Sequence, residues 1–141
     1  MRIAVDLDDT IKETTRVWVN GCFDVLHVGH IKLLEHASKI GSIRLGLDSD
    51  AKVRADKGDN RPFNSFEVRR EMLRALKFGI DNVMTYDTNK ELEEHIRRYN
   101  PHVLVVGEEH RGKVVGADYT WEIEYFSRYE DHSTTKILEE V

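Results

Sequence analysis

The 141-residue sequence predicts an α/β fold, a Rossmann-like, doubly wound parallel sheet in a single domain. Three observations carry the prediction. Short runs rich in β-branched and aromatic residues alternate with segments of helical periodicity. Val103-Leu104-Val105-Val106 is almost wholly apolar, as a strand covered on both faces of a parallel sheet must be. Glycines and charged residues gather where the strand-like runs end, which is where ligands bind in such sheets. A chain of this length fits one hydrophobic core.

The elements follow in order. Arg16-Val17-Trp18-Val19 reads as the first strand and leads into the turn Asn20-Gly21-Cys22-Phe23-Asp24. Ile31, Leu34, Ala37 and Ile40 then recur at helical spacing until Gly41. Ile43 to Asp48 is the second strand. Residues 51 to 64 read as a polar loop carrying Lys52, Arg54, Lys57 and Arg61, and Asn64-Ser65 offers a cap for a helix from Phe66 to Phe78. Asn82 to Tyr86 is a short strand. Lys90 to Tyr99 is helical, with Leu92, His95, Ile96 and Tyr99 on one face, and Pro101 separates it from the apolar strand. Ile123 to Phe126 is a last strand, and Thr134 to Val141 a closing helix.

Composition narrows the function classes. Hydrophobic residues make up 40% and charged residues 33%, an ordinary folded composition. No apolar run approaches the ~20 residues that cross a bilayer, and the N-terminus lacks the features of a secretory signal, so a cytoplasmic protein with no membrane partner is expected. A net charge of −5 argues against a general nucleic-acid surface, which needs clustered cations. The one cysteine, Cys22, excludes an internal disulfide framework.

The chemistry concentrates in Gly21-x-Phe23-Asp24-x-x-His27-x-Gly29-His30, at the junction of the first strand and helix. Two imidazoles three residues apart share one side of a first helical turn, where free N–H groups and the helix dipole already favour anions. Gly29 leaves room for a phosphate between them. A zinc site would need further ligands, and none is evident nearby. His36, His95 and His102 read as surface or core-edge residues, and Trp18 and Trp121 as core or interface residues.

This string resembles the signature of the cytidylyltransferase-like nucleotidyltransferases. A second segment, Arg128-Tyr129-Glu130-Asp131-His132-Ser133-Thr134-Thr135-Lys136-Ile137, resembles the family's triphosphate-closing motif, with Asp131 where relatives carry glycine. Lys57-Gly58-Asp59-Asn60-Arg61-Pro62 and Glu67-Val68-Arg69 are similar to its basic loop and arginine helix. The resemblance covers residues 16 to 141. It implies transfer of a nucleoside monophosphate from ATP or CTP to a small phosphorylated acceptor, with release of pyrophosphate. The acceptor's phosphate oxygen is already ionised at neutral pH, so alignment and positive charge are needed rather than a base or covalent nucleophile. His27, His30, Lys57 and Arg69 are then the catalytic candidates. Gly21, Cys22, Phe23, Asp24, Gly29, Arg128, Ser133, Thr134 and Thr135 are candidates for holding the nucleotide, with Asp24 ordering either the turn or the nucleotide itself. Glu108, His110 and Lys77 are acceptor candidates. The resemblance also implies Mg²⁺, with no ligands assigned, and a homodimer.

Two subfamilies compete. Asn20 to Asp24, Lys57-Gly58-x-x-Arg61-Pro62, Asp87-Thr88 and Val115 to Asp118 resemble the heptose-1-phosphate adenylyltransferase domain. Arg128-x-Glu130, Gly107 to Lys113 and Ser133 to Ile137 resemble glycerol-3-phosphate cytidylyltransferase. The balance leans to the adenylyltransferase. Residues 1 to 15 form an N-terminal extension, in which Asp6-Leu7-Asp8-Asp9-Thr10 resembles the first motif of haloacid-dehalogenase-type phosphatases. Too few residues follow it for that family's core, so a remnant or an extra edge strand is expected there rather than a working phosphatase. A nucleotide-binding protein without turnover is a further alternative.

Overall fold

The computed structural model describes residues 15–127. They build a five-stranded sheet in the order β3-β2-β1-β4-β5, parallel at every pairing. The strands are β1 (Arg16–Gly21), β2 (Ser42–Asp48), β3 (Asn82–Tyr86), β4 (Val103–Gly107) and β5 (Glu122–Phe126). The helices are α1 (Val28–Ile40), α2 (Asp50–Lys57), α3 (Phe66–Arg74) and α4 (Asn89–Tyr99). This is the predicted doubly wound sheet. Its strand order reverses at β1, which has β2 on one side and β4 on the other, so a crevice opens beyond the carboxyl ends of these strands.

Period-two alternation along β1 decides the two layers. Val17 and Val19 point to one face, where Leu34 and Ala37 of α1, Leu73 of α3, and Leu45, Leu47 and Val105 close a core. Trp18 points to the other face, against Tyr86, Leu104, and Leu92 and Ile96 of α4. Trp18 is thus a core residue, as expected, whereas Trp121 is 81% exposed and takes no part in either core.

Caps set most helix starts. Ser65 accepts from the Val68 N–H and Thr88 from the Glu91 N–H at the heads of α3 and α4. Two expectations need correction. The polar segment from residue 51 is not all loop, because Asp50–Lys57 forms α2, capped by the Ser49 side chain on the Lys52 N–H. Its one buried apolar residue, Val53, gives too little periodicity to read, and the Ser49-Asp50 start was the available signal. Helix α3 ends at Arg74, earlier than Phe78, and Leu76 and Phe78 pack on the core from the connection to β3. The closing helix at 134 to 141, the Arg128-to-Ile137 segment and the Asp6-to-Thr10 segment lie outside the described residues.

Gly46 in the middle of β2 lets the second layer pack. A Cβ there would lie 2.6 Å from Trp18 Cζ2 and 2.9 Å from Tyr86 Cε1, two buried rings that cannot swing away. Gly46→Ala is therefore expected to cost about 1–3 kcal/mol by overpacking, read as a lower midpoint in urea unfolding with an unchanged m-value.

Candidate active site

Helix α1 begins with a capping box made of its two histidines. His27 is the N-cap, and its Nδ1 accepts from the Gly29 N–H at 3.0 Å. His30, at the third helical position, accepts the His27 N–H on its own Nδ1 at 3.3 Å. Serine or aspartate would ordinarily do this work. With Nδ1 accepting, each ring carries its hydrogen on Nε2, the edge turned away from the helix N–H groups. The rings stack at 3.8 Å between centroids, and Phe23 leans on His30 at 5.2 Å. Burial, then the neighbouring His27 and Lys57, lowers the His30 pKa from 6.5 to about 3. His30 is therefore a neutral donor at neutral pH.

The turn before α1 is tightly shaped. Phe23 takes a left-handed backbone, φ 47°, and is buried. Gly21 lies close beneath it, since a Cβ would stand a tight 3.1 Å from the Phe23 ring. Asp24 turns inward, 1% exposed, and accepts from the Phe63 and Asn64 N–H groups at 2.7 Å each and from Arg61 Nε at 3.0 Å. Burial alone would raise its pKa, but the Asn64 and Phe63 N–H groups and Arg61 outweigh it, and the carboxyl sits below its ordinary value. Of its two expected roles, Asp24 serves the turn: it fastens the 61–64 segment beneath the site.

A cavity of about 960 Å³ lies over the crevice at the strand ends. His27, Gly29, His30, Gly21, Cys22 and Phe23 form one side of it. Lys57 reaches it from the last turn of α2, rather than from a loop, with Lys52, Asp56 and Asp48 nearby on the same wall. Glu109, His110 and Lys113 close the far side, beyond β4. Sequence reasoning left Asp48, Lys52, Asp56 and Asn20 without a role, although all four line the cavity. The signal available was position, since Asp48 and Asn20 sit at strand ends. Two hydrogen bonds hold Asn20 and Asp48: Trp18 Nε1 donates to Asn20 Oδ1 at 2.9 Å, and the buried Tyr86 hydroxyl donates to Asp48 Oδ1 at 2.6 Å. The Cys22 thiol is pushed up by burial, which suits a packed wall residue rather than a nucleophile.

Three expectations change. Arg69 does not line the cavity. It is 1% exposed and donates to the carbonyls of Asn64, Cys22 and Asp48 and to Asp50 Oδ1, at 2.6 to 3.0 Å. Its guanidinium is spent on the frame of the site, so it is a positioning residue. Lys77 is exposed between α3 and β3, at the amino ends of the strands, and is absent from the cavity wall. Glu108 pairs with Arg111 on the surface and also lies outside the wall, whereas His110 belongs to it. His36, His95 and His102 have structural partners, namely Glu124, the Thr85 carbonyl and the Arg16 N–H. Arg128, Ser133, Thr134 and Thr135 lie outside the described residues. No helix among the described residues is long and apolar enough to cross a membrane.

The cytidylyltransferase-like family model covers residues 18–140. The chain belongs to that family. Among curated relatives, the bifunctional protein HldE of Campylobacter fetus is 39% identical over 99% of this chain and 31% of its own length. HldE of Wolinella succinogenes is 40% identical over 89% of this chain and 26% of its own. The chain thus spans about a third or less of these relatives. A solved structure, the lipopolysaccharide core biosynthesis protein from Thermoplasma volcanium, shares the fold with a TM-score of 0.66 at 23% identity, over 82% of this chain and 98% of that one.

Two outcomes follow. Arg69→Met leaves three carbonyls and Asp50 without their buried donor and is expected to cost about 3–5 kcal/mol of stability, measured by thermal or urea unfolding. Because the folded pKa of His30 lies below the unfolded value, its contribution is complete above pH 6.5 and is lost progressively as pH falls toward about 3. His30→Gln is expected to flatten the stability profile across that window, as measured by unfolding from pH 7 to pH 4.

Proposed function

We propose that this protein transfers AMP from ATP to the phosphate of a sugar phosphate of the heptose-1-phosphate class, releasing pyrophosphate. The observation that carries the reading is the His27–His30 cap at a helix N-terminus, where both rings give Nδ1 to backbone N–H groups and both residues line a cavity of about 960 Å³. That space accommodates a nucleotide and a small acceptor together. The resemblance of the Asn20-to-Asp24, Lys57-to-Pro62 and Val115-to-Asp118 segments to the heptose adenylyltransferase domain supports the acceptor class, as does the similarity to HldE.

In the reaction, an acceptor phosphate oxygen forms a bond to the α-phosphorus as the bond to the bridging oxygen of the leaving pyrophosphate breaks. No proton need leave the nucleophile. His27 and His30 donate from Nε2 to phosphate oxygens as charge grows on them, and the neutral state of His30 makes it a donor without a titration near pH 7. Lys57, near enough to His30 to lower its pKa, adds positive charge from the end of α2. His110 and Lys113, across the cavity, face the acceptor.

Mg²⁺ belongs to the proposal with the triphosphate. Among the described residues no group of three or more candidate ligands gathers, which fits an ion held chiefly by phosphates and water with one or two carboxylates. Our candidate carboxylate for it is Asp48, which lines the cavity and has Oδ1 bonded by Tyr86. When bound, the ion would neutralise phosphate charge. The family resemblance further carries a cytoplasmic homodimer, for which Phe63, Val68 and Met72 supply exposed apolar surface.

The test pairs ATP and CTP with heptose 1-phosphate and glycerol 3-phosphate and reads pyrophosphate release. ATP with the heptose phosphate is expected to be the productive pair, and His27→Ala is expected to lower its turnover by ~10²–10³. Productive CTP with glycerol 3-phosphate would replace the substrate assignment. Triphosphate binding without release from any pair would leave a nucleotide-binding protein.

A further inference from the structure

Lys52 is a buried cation on the cavity wall that the transfer mechanism above does not use. Its side chain is 9% exposed, and its ammonium lies 2.5 Å from the carboxylate of Asp56, whose side chain is 51% exposed. Both residues line the cavity together with His30 and Lys57.

As a device for stabilising α2, the pair is poorly arranged. Lys52 falls in the first turn, where the helix dipole disfavours a cation. A lysine preceding its acidic partner by four residues is also the weaker of the two orders. An exposed pair would avoid desolvation, and a long lysine stem on so short a helix could reach solvent, yet the ammonium stays in the wall. What the position does provide is a second cation deeper in the cavity than Lys57. The two lie five residues apart along α2, roughly 7–8 Å of helix rise, and both line the same cavity.

We infer that Lys52 is a phosphate-binding residue of the triphosphate site and that Asp56 is its resident counter-ion, displaced when the polyphosphate enters. The inference rests on the nucleotidyl-transfer reading. Asp56 neutralises a charge that would otherwise be buried alone. Once phosphate oxygens arrive, Lys52 exchanges one anionic partner for another, and Asp56, already half in solvent, turns outward at little cost. Asp56 therefore weakens binding while protecting the fold.

Isothermal titration of the full chain with ATP, CTP and inorganic tripolyphosphate tests this, with thermal unfolding of each ligand-free variant alongside. Lys52→Met is expected to weaken tripolyphosphate and nucleotide binding by about tenfold or more. Asp56→Asn is expected to tighten both by about threefold, while lowering the ligand-free melting temperature, and it carries the test should Lys52→Met fail to fold. Opposite signs on affinity and stability in Asp56→Asn are an outcome that a purely structural ion pair does not produce. Wild-type affinity for tripolyphosphate in either variant overturns the inference and leaves nucleotidyl transfer standing. A wild-type chain that binds none of the three ligands overturns both.

Discussion

The buried guanidinium of Arg69 is the constraint on which the site's geometry depends. It joins the Cys22 carbonyl after β1, the Asp48 carbonyl at the end of β2, the Asp50 carboxylate opening α2 and the Asn64 carbonyl before α3. These acceptors come from three separate stretches of chain, and two of them, Cys22 and Asp48, also line the cavity. A charge taken so fully out of water is tolerable only when its donors are satisfied at once. The segments must therefore converge for the fold to form. Asp24 repeats the logic with opposite sign, gathering the Phe63 and Asn64 N–H groups and Arg61 under the same turn. Together the two residues convert loop ends into a rigid floor, which lets His27, Lys57 and Asp48 hold fixed positions without lying on one element.

On that floor the histidine cap solves two problems with one arrangement. Helix α1 needs acceptors for its first N–H groups, and the proposed transfer needs donors for phosphate oxygens. Each ring gives Nδ1 to the helix and so commits its hydrogen to Nε2. Burial first, then the neighbouring His27 and Lys57, keep His30 uncharged. A neutral, oriented donor does not require a proton to be moved before it can act, which is what a reaction with an already ionised nucleophile calls for.

Much of the fold was legible because its signals are local. The β-branched and aromatic run Arg16 to Val19, the apolar run Val103 to Val106 and the Ser65 cap each report on a few neighbouring residues. Helix α2 was not legible, since eight residues with one buried apolar side chain carry no period, and its stability comes from Ser49 and from packing on the sheet. The histidines and Lys57 were found because a motif compresses their positions. Arg69 was found for the wrong reason. A basic residue on a helix near a phosphate motif looks like a ligand contact in one dimension, and only its four acceptors, drawn from positions 22, 48, 50 and 64, show it to be a strut.

By itself the sequence determined the sheet architecture, the family and the strand-to-helix corner where chemistry is placed, because these are written in periodicity and in a contiguous motif. Only the tertiary structure decided which charges face the cavity and which support it. Lys52 and Arg69 are both basic residues beside the site in sequence, and Lys77 follows on the same connection toward β3. One enters the wall, one is buried in the frame and one lies at the opposite end of the strands. The reason is physical: a charge is committed by the acceptors that surround it in space, and those come from segments that the chain brings together only when the sheet has formed.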